Sequence, residues 1–311
     1  MRTNHILLAI LAVAIWGCNF IFITVALQDI PPYLLGALRF LFTAIPIIFF
    51  LPKPQVSNSA ILAYGLFTFG MQFSLLFAGM HAGMPPGLTS LIFQCQVFFS
   101  LFLAAFSLRE TPSPLQIIGA MISFGGLGLV GIKSAHTGSL SGFLLVIAAA
   151  IAMGAGNLFA RKLSQVNSYS LVAWGSLVSL PLLISLSLLF EGPNLIYNSL
   201  TQVSWVTVGA MAYIVYISTW IGYGIWNNLL RLYTVAAVVP FTLLVPVFGM
   251  ASSYLIFGEP IQHWKWTAAC LIISGLATNV LGSHFINRRQ KNLTAMAEKE
   301  LEAAKFSISD T

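Results

Sequence analysis

The polar side chains buried in the apolar stretches of this chain are the ones that could act on a solute. They are Asn19, Gln72, Gln94, Gln96, Asn157, Thr219, Tyr223, Asn227 and Asn228, joined by one full charge, Arg39. Amides and hydroxyls can hydrogen-bond a polar molecule but supply no acid–base pair at neutral pH. The carboxylates Asp29, Glu110, Glu191 and Glu259 all fall in loops or at the ends of apolar runs, and none lies mid-run. His5, His81, His136, His263 and His284 also sit at run ends and read as interfacial. Cys18, Cys95 and Cys270 lie inside runs as small apolar residues, and no Cys or His pair has the loop spacing of a metal site. No cofactor and no metal are expected.

An intramembrane enzyme would need paired carboxylates, a His-Glu-x-x-His helix, or a nucleophile within Gly-x-Ser-x-Gly. The nearest approach, Gly138-Ser139-Leu140-Ser141-Gly142, puts Leu140 at the nucleophile position. The chain is read as a non-enzyme. A channel would show a charged ring or a repeated carbonyl filter, and neither is visible.

The elements that must position these groups are helices. Charged residues make up 7% and hydrophobic residues 58% of the 311 residues, with a mean hydropathy of +0.89. The apolar runs cover approximately 5–27, 33–51, 60–80, 86–106, 114–132, 142–160, 169–190, 205–229, 236–257 and 264–286. Most have about the twenty residues an α-helix needs to cross roughly 30 Å of hydrocarbon. The expected fold is therefore an all-α integral membrane protein of ten transmembrane helices, with no room for a soluble catalytic domain. The first run, Ile6 to Leu27, is too long for a cleavable signal and is read as an uncleaved helix.

The net charge of +6 belongs to loops beside the membrane rather than to a nucleic-acid surface. Arg2, Lys53, Arg109, Arg161, Lys162, Arg231, Arg288, Arg289 and Lys291 gather on one side, against Lys133 and Lys265 on the other. The positive-inside rule then puts both termini in the cytoplasm.

The halves echo one another. Glu110 and Glu259 stand 149 residues apart, and the same offset pairs Gly126-Leu127 with Gly275-Leu276, Ala120 with Ala269, and Phe99 with Phe248. An offset of 138 sets Gly17-Cys18-Asn19-Phe20 against Ala155-Gly156-Asn157-Leu158. A copy of five spans is odd, so its repeat must enter the membrane from the opposite face. Two inverted five-helix repeats are expected, residues 1–136 and 137–286, followed by a charged cytoplasmic tail, 287–311. Inverted repeats are the architecture of many secondary transporters, with the solute near the midplane between halves.

Trp16-Gly17-Cys18-Asn19-Phe20, Pro31-Pro32 and Leu38-Arg39-Phe40 resemble the opening of EamA-type members of the drug/metabolite transporter superfamily. Further matching stretches are Gly83-Met84-Pro85, Gly87-Leu88, Ser90-Leu91 and Gln94-Cys95-Gln96-Val97-Phe98-Phe99. Gly222-Tyr223-Gly224-Ile225-Trp226 and Leu243-Leu244-Val245-Pro246-Val247 complete the likeness in the second half. The glutamine pair and the Gly-Tyr-Gly-Ile-Trp segment look most similar to amino-acid-metabolite exporters that expel O-acetylserine and cysteine. The resemblance implies a secondary transporter working by alternating access in a bacterial inner membrane. Its partners would be the lipid bilayer and a small polar metabolite, with no nucleic acid, and a homodimer is left open. A broad-range carrier of other substrate or direction is the alternative.

The substrate-binding candidates are Trp16, Asn19, Gln72, Gln94, Gln96, Asn157, Tyr223 and Trp226. Asn19 and Asn157 occupy equivalent places in the repeats. Gln94 and Gln96 lie about 200° apart on a continuous helix, so only one should face a cavity fully. Arg39 is a candidate anion contact, but the preferred reading has it snorkelling outward or pairing with backbone carbonyls and Asp29. Glu110 and Glu259 are expected to support the N-termini of the helices that follow them. Gly125, Gly128 and Gly131, spaced by three, read as a helix-packing stripe.

Overall fold

In hydrocarbon every backbone N–H and C=O must be paired within its own segment, so long apolar runs become helices. The structure, a computed structural model, describes residues 1–278 apart from 46, 85, 111, 135–138, 258–263 and 265. The described residues contain helices and no strand.

The first two spans are α1 (Thr3–Ala26) and α2 (Pro32–Ala44). The third, Asn58–His81, is α3 (Asn58–Gly65), a π-helical segment (Leu66–Met71) and α4 (Gln72–His81). The fourth comprises α5 (Pro86–Phe93) and α6 (Gln96–Leu108), and α7 (Pro114–Ser134) is the fifth. Then come α8 (Leu140–Lys162), α9 (Ser168–Phe190) and the short α10 (Gly192–Thr201). The eighth span, Trp205–Leu232, is α11 (Trp205–Ala212), a π-helical segment (Tyr213–Tyr223) and α12 (Gly224–Leu232). The ninth joins α13 (Val235–Val238), a 3₁₀ segment (Val239–Leu244) and α14 (Val245–Phe257). The last described helix is α15, Trp266–Thr278.

Eight of these segments are long and apolar enough to cross a membrane, and two shorter apolar helices, Pro114–Gly126 and Trp266–Thr278, stand where the fifth and tenth spans were expected. The boundary at 136/137, Glu259 and the tail lie outside the described residues.

Helix starts follow ordinary capping chemistry. Ser57, Ser139, Asn167 and Ser204 each accept a backbone N–H of the first turn of α3, α8, α9 and α11. Three carboxylates add caps from far along the chain. Glu191 accepts from the N–H groups of Tyr33 and Leu34 at the start of α2. Asp29 accepts from Ser204 N at 3.0 Å and from the hydroxyls of Ser204 and Thr207 at the start of α11. Glu110 accepts from Val235 N at 2.9 Å, the first residue of α13, and pairs with Arg161 at 2.8 Å. Glu110 therefore serves the start of α13, more than a hundred residues away. The turn between α12 and α13 needs a donor and an acceptor together, and Arg161 also donates to the carbonyls of Leu230 and Arg231.

Packing is reciprocal between the halves. α1 lies against α14, and α8 lies against α6. A Cβ on Gly17 would collide with Phe248 Cβ and come 3.0 Å from Gly249 N; one on Gly154 would lie 2.8 Å from Phe99 Cβ and 3.1 Å from Ser100 N. Phe99 and Phe248, and Ser100 and Gly249, are each 149 apart. The same offset recurs where α7 meets α15. Gly126 abuts Ala268 and Ile272, while Gly275 abuts Gly119 and Ser123, the residues 149 positions earlier. Gly126 is thus the close-packed residue of α7. Gly125 and Gly128, expected to form the packing stripe, have nothing within 4 Å of an added Cβ. The i,i+3 spacing was right for a helix face but selected its open side.

Candidate functional site

A cavity lies between α1, α2, the third and fourth spans, α8, the second π segment and the ninth span. Its volume is about 70 Å³, room for a few water molecules or a small solute. Its polar lining is Asn19, Arg39, Gln72, Gln94, Gln96, Ser218 and Thr242, with Tyr223 and Trp16 among aromatic and aliphatic walls. Seven of the nine candidates from sequence meet here: Trp16, Asn19, Arg39, Gln72, Gln94, Gln96 and Tyr223. Asn157 and Trp226 stand one layer behind.

Both glutamines line the cavity, against the helical-wheel expectation. The reason is a break in the helix: α5 ends at Phe93 and α6 starts at Gln96. Across it the backbone tightens to three-residue hydrogen bonds, Gln94 N to Leu91 O, Val97 N to Gln94 O and Phe98 N to Cys95 O, each 3.0 Å. The two side chains no longer share one continuous helical register.

Asn157 fixes what Gln96 can offer. Its Nδ2 donates to Gln96 Oε1 at 3.2 Å and to Ser100 Oγ at 3.0 Å, and its Oδ1 accepts from Trp226 Nε1 at 2.9 Å. With its oxygen engaged, Gln96 presents its NH₂ group to the cavity. Gln94 is set the other way, since its Nε2 donates to Ser90 O at 3.3 Å. The amide oxygens of Asn19, Gln72 and Gln94 are buried without a hydrogen-bond partner. Buried acceptors are rarely left so, and all three belong to residues that line the cavity.

Arg39 is 2% exposed and neither snorkels nor reaches Asp29. Asp29 is engaged at the start of α11. The guanidinium instead lies 4.6 Å from the Phe73 ring centroid and 5.4 Å from that of Phe40. Its Nε donates to Thr219 Oγ1 at 2.9 Å and its Nη2 to Ser218 Oγ at 3.4 Å. Thr219 is oriented by the π segment, where its hydroxyl donates to Ile214 O five residues back. Trp16 Nε1 donates to Ser218 O at 3.1 Å, and the Trp16 ring sits 5.0 Å from Tyr223 and 5.1 Å from Trp226. Such π segments recur at functional sites because they redirect side chains.

Sequence reasoning missed Ser218 and Thr242 as lining groups, and the apolar walls Phe20, Ile23, Phe73, Leu76, Phe93, Met153 and Val245. Ser218 and Thr242 were visible as mid-run hydroxyls. The walls carry no signal that separates them from other core residues. Asn227, by contrast, donates to Tyr64 Oη at 2.8 Å, away from the cavity.

A bundle of membrane-length helices around a largely apolar cavity set with a few amides, hydroxyls and one guanidinium defines a multi-pass membrane protein built to handle a solute. The chain belongs to the EamA-like transporter family, which matches residues 3–132 and again residues 140–281. A "Probable amino-acid metabolite efflux pump" of Salmonella typhimurium is 42% identical over 284 residues, covering 88% of this chain and 94% of the relative. A protein of the same description from Escherichia coli is 38% identical over 282 residues, with the same coverage. A solved crystal structure aligns with a TM-score of 0.73 at 18% identity, over 92% of this chain and 99% of its own.

Proposed function

We propose that the protein is a secondary carrier that exports small amino-acid-type metabolites, such as O-acetylserine or cysteine, by alternating access. The observation that carries this reading is the cavity itself. Asn19, Gln72 and Gln94, each with a buried partnerless amide oxygen, line it with one guanidinium, between walls of Trp16, Phe20, Phe73, Phe93 and Tyr223. A small polar molecule with both donors and acceptors satisfies such a lining, whereas an apolar drug would leave it unpaired. The names of the two bacterial relatives point the same way.

The family's double match and the reciprocal contacts at an offset of 149 support two repeats, 1–136 and 137–286, of opposite orientation in the membrane. The loop charges support a bacterial inner membrane with both termini cytoplasmic.

Counterflow in proteoliposomes with labelled O-acetylserine, cysteine and other amino acids tests the activity. Saturable flux accelerated by internal unlabelled solute is expected, and no flux of any amino-acid-type compound would remove the assignment. Impermeant labelling of single cysteines in whole cells tests orientation. Position 194 should react and position 162 should not.

A further inference from the structure

We propose that Arg39 is the carboxylate receptor of the cavity, so that cargo is recognised as an α-amino acid through its backbone carboxylate and amine together. The inference rests on the cavity being the solute site, as read above. Arg39 has five N–H donors, and the two hydrogen bonds it makes go to neutral hydroxyls, one of them long at 3.4 Å. Each described acid, Asp29, Glu110 and Glu191, is engaged at a helix start, and the ion pair found among the described residues is Arg161–Glu110. A guanidinium buried among membrane spans without a carboxylate is an expensive arrangement. A carboxylate arriving in the cavity supplies the missing charge and fits the planar fork with two parallel hydrogen bonds.

The remaining lining has the opposite polarity. Asn19 Oδ1, Gln72 Oε1 and Gln94 Oε1 are acceptors without donors, and an ammonium group brings three donors and no acceptor. The Ser90 carbonyl holds the Gln94 amide so that its oxygen is the group left over. One cation and several acceptors in the same cavity describe a zwitterion better than an amine, a neutral sugar or a dianion. The aromatic walls suit a short, uncharged side chain.

Calorimetric titration of the purified full chain under reducing conditions, with cysteine, cysteinamide and cysteamine, reads this directly. The three compounds share a side chain and differ only in carrying a carboxylate, a carboxamide or neither. Cysteine should bind about tenfold to a hundredfold more tightly than cysteinamide, the range of a hydrogen bond to a charged group. Arg39→Gln should bring that ratio close to one, and Arg39→Lys should keep part of it. Equal binding of cysteine and cysteinamide by the unaltered chain, an unchanged ratio in Arg39→Gln, or no binding of any of the three would overturn the proposal. Should Arg39→Gln not fold, Arg39→Lys carries the comparison, and an unchanged cysteine-to-cysteinamide ratio there overturns the proposal. Acid-selective binding without counterflow would remove the export reading and keep the receptor; counterflow without acid selectivity would do the reverse.

Discussion

Asn19 and Asn157 hold matching places in the two halves, yet one is bound on every side and the other is open. Asn157 takes its partners from Gln96 and Ser100 of α6, with Trp226 completing the set. The residues 149 positions further on are Val245 and Gly249. Neither has a side chain that can hydrogen-bond, and the amide oxygen of Asn19, a residue of the cavity lining, is left without a partner. Two positions of α14 thus separate an amide with three side-chain partners from one whose oxygen has none. The close helix contacts are matched at an offset of 149, and the polar partners of the two amides are not.

The largest expected effect follows from cutting the closed network. Asn157→Ala leaves Trp226 Nε1, Gln96 Oε1 and Ser100 Oγ without their partner and should destabilise the protein by about 1–3 kcal/mol, read as a lower melting temperature in detergent. Asn19→Ala removes an acceptor that has no partner. It should leave melting nearly unchanged and weaken solute binding by the worth of one hydrogen bond, about 0.5–1.5 kcal/mol or a two- to twelvefold loss. If the two variants lose stability and affinity alike, the contrast fails.

A sharper test rebuilds the symmetry. Val245→Gln combined with Gly249→Ser places the α6 pattern opposite Asn19. Gly249 has room for the serine, since an added Cβ meets only Gly17 O, at 3.7 Å. The double variant should weaken solute binding severalfold while the melting temperature stays level or rises. Unchanged affinity would mean that Asn19 is not a contact.

Smaller effects distinguish the ends of the bundle. Glu110→Gln breaks a partly exposed ion pair and weakens the cap of α13, for about 1 kcal/mol of stability, with solute affinity unaltered. Asp29 gives the smallest change. Its hydrogen bonds from Thr207 and then Ser204 hold its carboxyl below the ordinary carboxylate range. A lowered pKa stabilises the fold above the unfolded value, near pH 4, and that stabilisation fades as pH falls through the folded value. Melting should therefore be flat in this respect around neutrality and decline only in acid. Asp29→Asn should remove that part of the decline.

Much of the architecture was legible because hydrocarbon leaves the backbone few choices. Span positions, their order and the 149-residue pairing of Gly126 with Gly275 could all be read from apolar length and glycine placement. Most of the cavity's polar lining was legible as well, since Asn19, Gln72, Gln94 and Gln96 interrupt apolar runs. Which amide is satisfied was not legible, because it depends on residues 61 and 69 positions away from Asn157. Nor was the setting of Arg39, whose hydroxyl partner Thr219 lies 180 residues on and is turned by a π segment with no sequence mark. The helical wheel misjudged Gln94 and Gln96 because it assumed continuity across a break that no proline or glycine announces.

The long-range caps bear on how the chain is made. Tyr33 and Leu34, at the start of α2, are capped by Glu191, 158 and 157 residues later. During synthesis five further spans emerge after α2 before its acceptor exists. The start of α11 depends on Asp29, delivered 175 residues earlier. The ribosome thus supplies the start of α11 with its fastener in advance, while the start of α2 receives its own only once the second half is being inserted.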